Sequence, residues 1–153
     1  MRGMRRKDRQ IEPAETEAPL ESGEYGVLST VDGDGQPYGV PVNYVYRDGA
    51  VYLHCALAGH KLDNIKSNPR VSFCVVGKTR VLPAEFATEY ESAVIFGIAS
   101  EPSGEERRQA LEGLLEKYSP DFMNEGRDYI QRKDKVTKVV KINIRHVSGK
   151  ARR

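Results

Sequence analysis

Apolar and polar residues alternate at period two along much of the chain and change to a helical period only locally. Tyr25 to Val31 predicts a first strand, and Asp32-Gly-Asp-Gly35 a turn of residues that tolerate positive φ. Gln36 to Tyr46 predicts a second strand with Val40, Val42 and Tyr44 on one face. Pro41 has no N–H for a ladder, so that strand is irregular or at an edge there. Asp48-Gly49 turns the chain into a third strand, Ala50 to Cys55, where Val51 and Leu53 alternate with Tyr52 and His54. The pattern breaks at Gly59. It resumes as a short helix with Leu62 and Ile65 three apart, ended by Asn68-Pro69. Arg70 to Val76 predicts a fourth strand, Thr79 to Leu82 a short one interrupted by Pro83, and Tyr90 to Ala99 a strand with an apolar centre.

The later part is more helical. Ser103-Gly-Glu-Glu106 has the spacing of a capping box. Leu111, Leu114, Leu115 and Tyr118 form one apolar stripe, expected to pack in the core or a dimer contact. Ser119-Pro120 opens a second helix carrying Phe122, Met123, Tyr129 and Ile130. Val136 to Val147 closes the chain as a half-buried strand. The divisions expected are an N-terminal arm over 1–20 with one helical turn, a single domain over 21–150, and a tail over 151–153. Many hairpin-linked strands with few helices predict a mainly β, antiparallel small barrel. Neither GxGxxG after a strand nor GxxxxGK[ST] occurs, so dinucleotide and P-loop folds lack their signatures.

Composition narrows the function classes. The 153 residues suffice for one domain with one core. With 24 Lys and Arg against 22 Asp and Glu, the net charge of +2 demands no nucleic-acid partner. The basic groups at the two ends, Arg5-Arg6-Lys7 and Arg152-Arg153, are expected to be solvated tails. No apolar run approaches the ~20 residues of a membrane span, and no apolar segment follows the basic N-terminus as in a secretory signal. Two cysteines without a CxxC pattern fit a cytoplasmic protein with reduced thiols.

The candidate chemistry lies where the third strand runs into the first helix. A loop delivers His60 and Lys61 to a helix N-terminus, whose free N–H groups and positive dipole end suit a phosphate. Lysine is most often a solvated surface residue, and His60 is either a phosphate donor or a packing residue. His54 and Cys55 point to opposite faces of one strand, so a given pocket receives only one of them. His54, Cys55 and His60 match no zinc-site spacing, so no metal is expected. No base stands at motif spacing from Cys55, and no catalytic residue is identified.

Several segments follow one another in a telling order. They are Tyr25-Gly-Val-Leu-Ser-Thr30, Gly35-Gln-Pro-Tyr-Gly-Val-Pro-Val-Asn-Tyr44, Tyr52-Leu-His-Cys55, Gly59-His-Lys-Leu-Asp-Asn-Ile65, Asn68-Pro-Arg-Val-Ser-Phe73 and Tyr90-Glu-Ser92. With Met4-Arg-Arg-Lys-Asp8 and Lys117-Tyr-Ser-Pro120, they resemble the nitroimidazole-resistance (Nim-like) branch of the pyridoxamine-phosphate-oxidase superfamily. The resemblance implies an FMN-binding split β-barrel, a homodimer and flavin mononucleotide at the dimer interface. It also implies an oxidoreductase that passes electrons from a reduced nicotinamide to a small planar acceptor such as a nitroaromatic.

The same resemblance implies that the phosphate meets positions 59–61, where a Ser-Arg-Lys run is usual in the wider family. Here Gly59 and His60 replace the serine and arginine, and Lys61 is kept. Gly39 and Tyr44 stand where basic residues flank the second strand in that family. These departures leave a deazaflavin or haem, or a carrier without turnover, as alternatives. The implied ring contacts are His54 or Cys55 and the strand backbone of Val40, Pro41, Val42 and Asn43. Tyr90, Glu91 and Ser92 are implied to come from the partner subunit.

Overall fold

Two tight turns start the architecture. In the computed structural model, which describes residues 1–153, Asp32 Oδ1 accepts hydrogen bonds from the N–H groups of Asp34 and Gln36 and so folds the first turn. Asp48 and Gly49 both take positive φ, 49° and 70°, the backbone of a two-residue hairpin whose twist suits its strands. The elements are β1 (Gln10–Ile11), α1 (Glu17–Ser22), β2 (Gly26–Val31), β3 (Pro37–Val42), β4 (Val45–Arg47), β5 (Ala50–Cys55), α2 (His60–Ser67), β6 (Arg70–Leu82), β7 (Ala87–Ser100), α3 (Gly104–Tyr118), α4 (Met123–Lys133) and β8 (Lys138–Arg152).

All strand pairs are antiparallel, in the order β3-β2-β6-β7-β8-β5-β4, with β1 also on β8. The sheet curls around Leu28, Tyr44, Val51, Leu53, Phe73, Val75, Ile95 and Ile142, all buried. The two outermost strands, β3 and β4, follow each other in the chain, with only Asn43 and Tyr44 between them. The wall is thus closed by covalent chain at that seam, and the fold is a split β-barrel. Pro41 lies on β3, an edge strand, where its missing N–H breaks no ladder. A second apolar cluster, Ala50, Tyr52, Ala110, Leu111, Leu114 and Val139, joins α3 to the outer face of β5 and β8.

Several boundaries differ from the sequence expectation. The strand expected over Gln36 to Tyr46 breaks at Asn43–Tyr44, because Tyr44 turns inward. Its hydroxyl donates to the Leu20 carbonyl at 2.5 Å, and its N–H donates to the Tyr118 hydroxyl at 3.0 Å. β8 runs to Arg152, so positions 151 and 152 are strand rather than tail. Arg153 pairs with Glu15 and Glu91, both at 3.1 Å, instead of standing free in solvent. Much of the expected arm is fixed as well, since Ile11, Thr16 and Leu20 are buried. No capping box forms at Ser103, where Gly104 starts α3 with φ 58°. A reciprocal box forms instead at Glu12 and Glu15. β6 and β7 reach past their expected ends into a projecting hairpin whose tip carries Phe86, 96% exposed.

Candidate functional site

β5 and α2 build the site. On β5, Val51, Leu53 and Cys55 face the barrel interior, while Ala50, Tyr52 and His54 face outward. Opposite orientation of His54 and Cys55 is the expectation for neighbours on a strand. Burial pushes the Cys55 thiol up, against the pull of Lys61 and Lys138, so it stays protonated and is not a nucleophile at neutral pH. Burial, then the charge of Lys61, moves His54 below its ordinary range, so its imidazole is neutral at pH 7. Lys61 therefore acts electrostatically on both residues at the end of β5.

α2 is held against the barrel by one buried bond. The Asn64 amide donates to the Thr30 hydroxyl at 2.9 Å. Leu62 and Ile65 pack on the main core, as their spacing predicts. At the helix start the His60 ring stacks on Tyr38, with centroids 3.9 Å apart and planes at 22°. That contact ties α2 to β3 and is invisible in the sequence, because the stacked residues are distant in the chain. Nothing lies within 4 Å of where a Gly59 side chain would begin, so the helix entrance is open to a ligand. Asp63 also stands in the first turn and shares the dipole with any bound anion. Lys61, half-buried in that turn, offers the opposing charge. The donor set at His60, Lys61 and the open helix start fits a phosphate group.

Across the seam, Val40, Pro41 and Val42 lie on β3, whose outer edge has no strand neighbour. Asn43 donates from its amide nitrogen to the Glu24 carbonyl at 3.0 Å. The end of α3 clamps the next residue. Lys117 Nζ donates to the Tyr44 carbonyl at 3.0 Å and sits 3.7 Å from the centroid of the Tyr44 ring. Tyr118 donates to the Glu24 carbonyl at 2.6 Å while accepting from the Tyr44 N–H. Burial without a carboxylate partner pushes Lys117 down to about 8. Burial, then Tyr118, holds the Tyr44 phenol well above its ordinary range.

Between α3–α4 and the barrel wall lies a cavity of about 520 Å³. His54 and Asn43 line its inner end, and the leucine stripe of α3 forms one side. The stripe, expected to be core or dimer packing, is therefore also cavity wall. The His54 backbone belongs to the β5–β8 ladder, but its imidazole makes no hydrogen bond within the protein. Its accessible surface opens onto this cavity, which reconciles an exposed ring with a desolvated one. No group of three or more His, Cys, Asp or Glu side chains is placed to hold a metal ion. No helix is long and apolar enough to cross a membrane.

Tyr90, Glu91 and Ser92 lie elsewhere. His54 pairs with Val139 near the start of β8, and Tyr90 with Arg152 at its end. At ~3.3 Å per residue these positions are separated by about 40 Å of strand contour. Within one chain they line different recesses, His54 the α3–α4 cavity and Ser92 one beside β1 and the start of the chain.

Residues 12–151 match the family model described as pyridoxamine 5'-phosphate oxidase. None of the curated proteins matches the chain. Among solved structures, the chain is similar to one from Bacteroides thetaiotaomicron, provisionally described as a 5-nitroimidazole antibiotic resistance protein. That pair shares 23% identity over 92% of this chain and 85% of the other, with a TM-score of 0.78. An FAD and haem binding protein from Mycobacterium smegmatis is 18% identical over 94% of this chain and 73% of its own, with a TM-score of 0.81. An FAD-binding protein from Mesorhizobium loti is 24% identical over 95% and 98%, with a TM-score of 0.68. At these identities the likeness concerns the fold.

Proposed function

Because the chain belongs to the pyridoxamine 5'-phosphate oxidase family, we propose that it is a homodimeric, FMN-dependent oxidoreductase of Nim-like type. The observation that carries this reading is the meeting of Lys61, His60 and the open start of α2 beside His54. Lys61 and the N–H groups of α2 hold the phosphate, with His60 braced on Tyr38 as a further donor. His54 and the open edge at Val40, Pro41, Val42 and Asn43 border the ring. A flavin held there would supply the redox chemistry between a reduced nicotinamide and a small planar acceptor such as a nitroaromatic. The protein's own part is to orient the ring, exclude water and keep His54 neutral beside it.

Two copies are needed for this arrangement. The separation of Tyr90–Ser92 from His54 along β8 supports their donation from a partner subunit. So do exposed apolar side chains on the outward face of β2, β6 and β7, namely Val27, Val76 and Phe96. Glu91 is already bridged to Arg153 of its own chain, so Tyr90 and Ser92 are the residues of that strand left to reach across.

A second reading has a specific observation behind it. Gly59 and His60 replace the serine and arginine of the phosphate run, and Gly39 and Tyr44 bring no charge. A weaker phosphate grip favours a deazaflavin, or a haem or flavin carrier without turnover. The Mycobacterium smegmatis neighbour is itself named for binding both FAD and haem. The deciding experiment is the absorption spectrum of the purified protein before and after adding FMN, deazaflavin or haem. Retained FMN, with nicotinamide oxidation that quickens on adding a nitroaromatic, supports the oxidoreductase. A protein that takes up neither flavin nor deazaflavin ends that reading.

A further inference from the structure

We infer that Thr30 and Tyr38 are positioning residues for the proposed phosphate site. Facing each other on one rung of the β2–β3 hairpin, they grip α2 at two points and set where His60 and Lys61 stand. This role rests on the flavin reading and adds to it how the phosphate donors are held.

His60, Asn64 and Ser67 recur at i, i+4 and i+7, so they share one face of α2. Each meets the hairpin. The His60 ring stacks on Tyr38, and the Asn64 amide donates to the Thr30 hydroxyl at 2.9 Å. At the far end, a side chain begun at Gly33 in the hairpin turn would lie 3.6 Å from Ser67 Oγ. Thr30 and Tyr38 are direct cross-strand partners, so their side chains leave the sheet side by side on the same face. Two contacts one turn apart on α2 therefore land on adjacent side chains of β2 and β3. One contact alone leaves a helix free to pivot, whereas two fix its rotation as well as its place.

The Asn64–Thr30 bond suits an aligning role. Both residues are buried, at 3% and 4% exposure, and no other side-chain-to-side-chain hydrogen bond of the protein is buried at both ends. A buried polar pair adds little net stability over an apolar one, but it accepts a single alignment, because a slip leaves donor and acceptor unpaired. The Tyr38–His60 stack fixes the plane of the imidazole at the helix entrance. Stacking engages the ring faces and leaves both nitrogens at the rim, where they can donate. Lys61 follows in the same turn. Tyr38 also shares one side of β3 with Val40 and Val42. One hairpin thus carries both the brace of the phosphate donors and the edge proposed to border the ring.

The test titrates flavin-free full-length protein with FMN and with riboflavin, which has the same ring and side chain without the phosphate, followed by flavin fluorescence. The wild type is expected to hold FMN at least about tenfold tighter than riboflavin. Thr30→Val, nearly isosteric, leaves the Asn64 amide without its acceptor, and Tyr38→Ala removes the stack from a half-buried position on an edge strand. Each should cut the preference for FMN about three- to tenfold while riboflavin affinity holds. Thr30→Ser and Tyr38→Phe keep the hydroxyl and the ring, and should keep the wild-type preference. Tyr38→Ala carries the test if Thr30→Val does not fold. Equal losses for both flavins, or an unchanged preference in the folded variants, overturn the positioning role and leave the phosphate site standing. A wild type that binds neither flavin, or FMN no tighter than riboflavin, overturns the phosphate site and the positioning role together.

Discussion

Lys61 and Lys117 show how position decides what an ammonium does. Lys61 lies in the first turn of α2 and acts on His54, at the end of β5. Lys61→Gln removes a like charge, so the His54 pKa should rise toward its ordinary value, read by NMR titration of the imidazole. The same variant should weaken FMN binding at least about tenfold, since a charged hydrogen bond to phosphate is lost. Lys117 is desolvated instead, with a pKa of about 8 against an ordinary 10.5. Its neighbours are the rings of Tyr44 and Tyr118, with Glu21 and Glu24 lining the same recess. Between these two values the unfolded chain holds more proton than the folded one, so stability rises with pH across that window. Lys117→Met should flatten that rise, measured by denaturant unfolding at intervals from about pH 7 to about pH 10.5. Lys61 was legible from its place after Gly59. Lys117 is legible only within the Lys117-Tyr-Ser-Pro120 segment, since nothing local signals that it reaches Tyr44, far back in the chain.

Elements defined by local chemistry were the legible ones. The Asp48-Gly49 turn, β5, α2 with its Asn68-Pro69 stop, and the stripe of α3 follow from residues near one another. The breaks at Asn43–Tyr44 and the extra lengths of β6, β7 and β8 did not, because they depend on partners across the sheet. Gly97 is one such case. It lies where the pairing of β7 with β8 shifts register. A side chain there would begin 2.6 Å from the Asn143 carbonyl oxygen, a backbone atom that cannot swing aside. Gly97→Ala should therefore destabilise the protein by about 1–3 kcal/mol, seen as a lowered midpoint in thermal or urea unfolding. The α3–α4 cavity was hidden for the same reason, since a leucine stripe reads alike whether it meets protein or a ligand.

For the molecule as a whole, the projecting hairpin has no folding rationale within one chain. Past Val76, β6 pairs only with β7, and Phe86 at the tip holds a positive φ of 50° with its ring in solvent. In the proposed dimer this ring is a candidate contact, since it buries nothing in its own chain. On the proposed dimeric, FMN-binding reading, Phe86→Ser should shift the protein from dimer toward monomer in light scattering and lower FMN uptake in parallel. A monomer that keeps full FMN affinity would separate cofactor binding from assembly. The curled sheet and its main core are readable from period-two patterning, whereas the proposed second copy has its support only in long-range placement, with Tyr90 and His54 at opposite ends of β8.

The seam between β3 and β4 has one more consequence. No ladder hydrogen bonds cross it, so only the Asn43–Tyr44 link and its clamp by Lys117 and Tyr118 hold the wall there. Deuterium uptake should begin at the outer amides of these two rims while the central strands β6 and β7 remain protected.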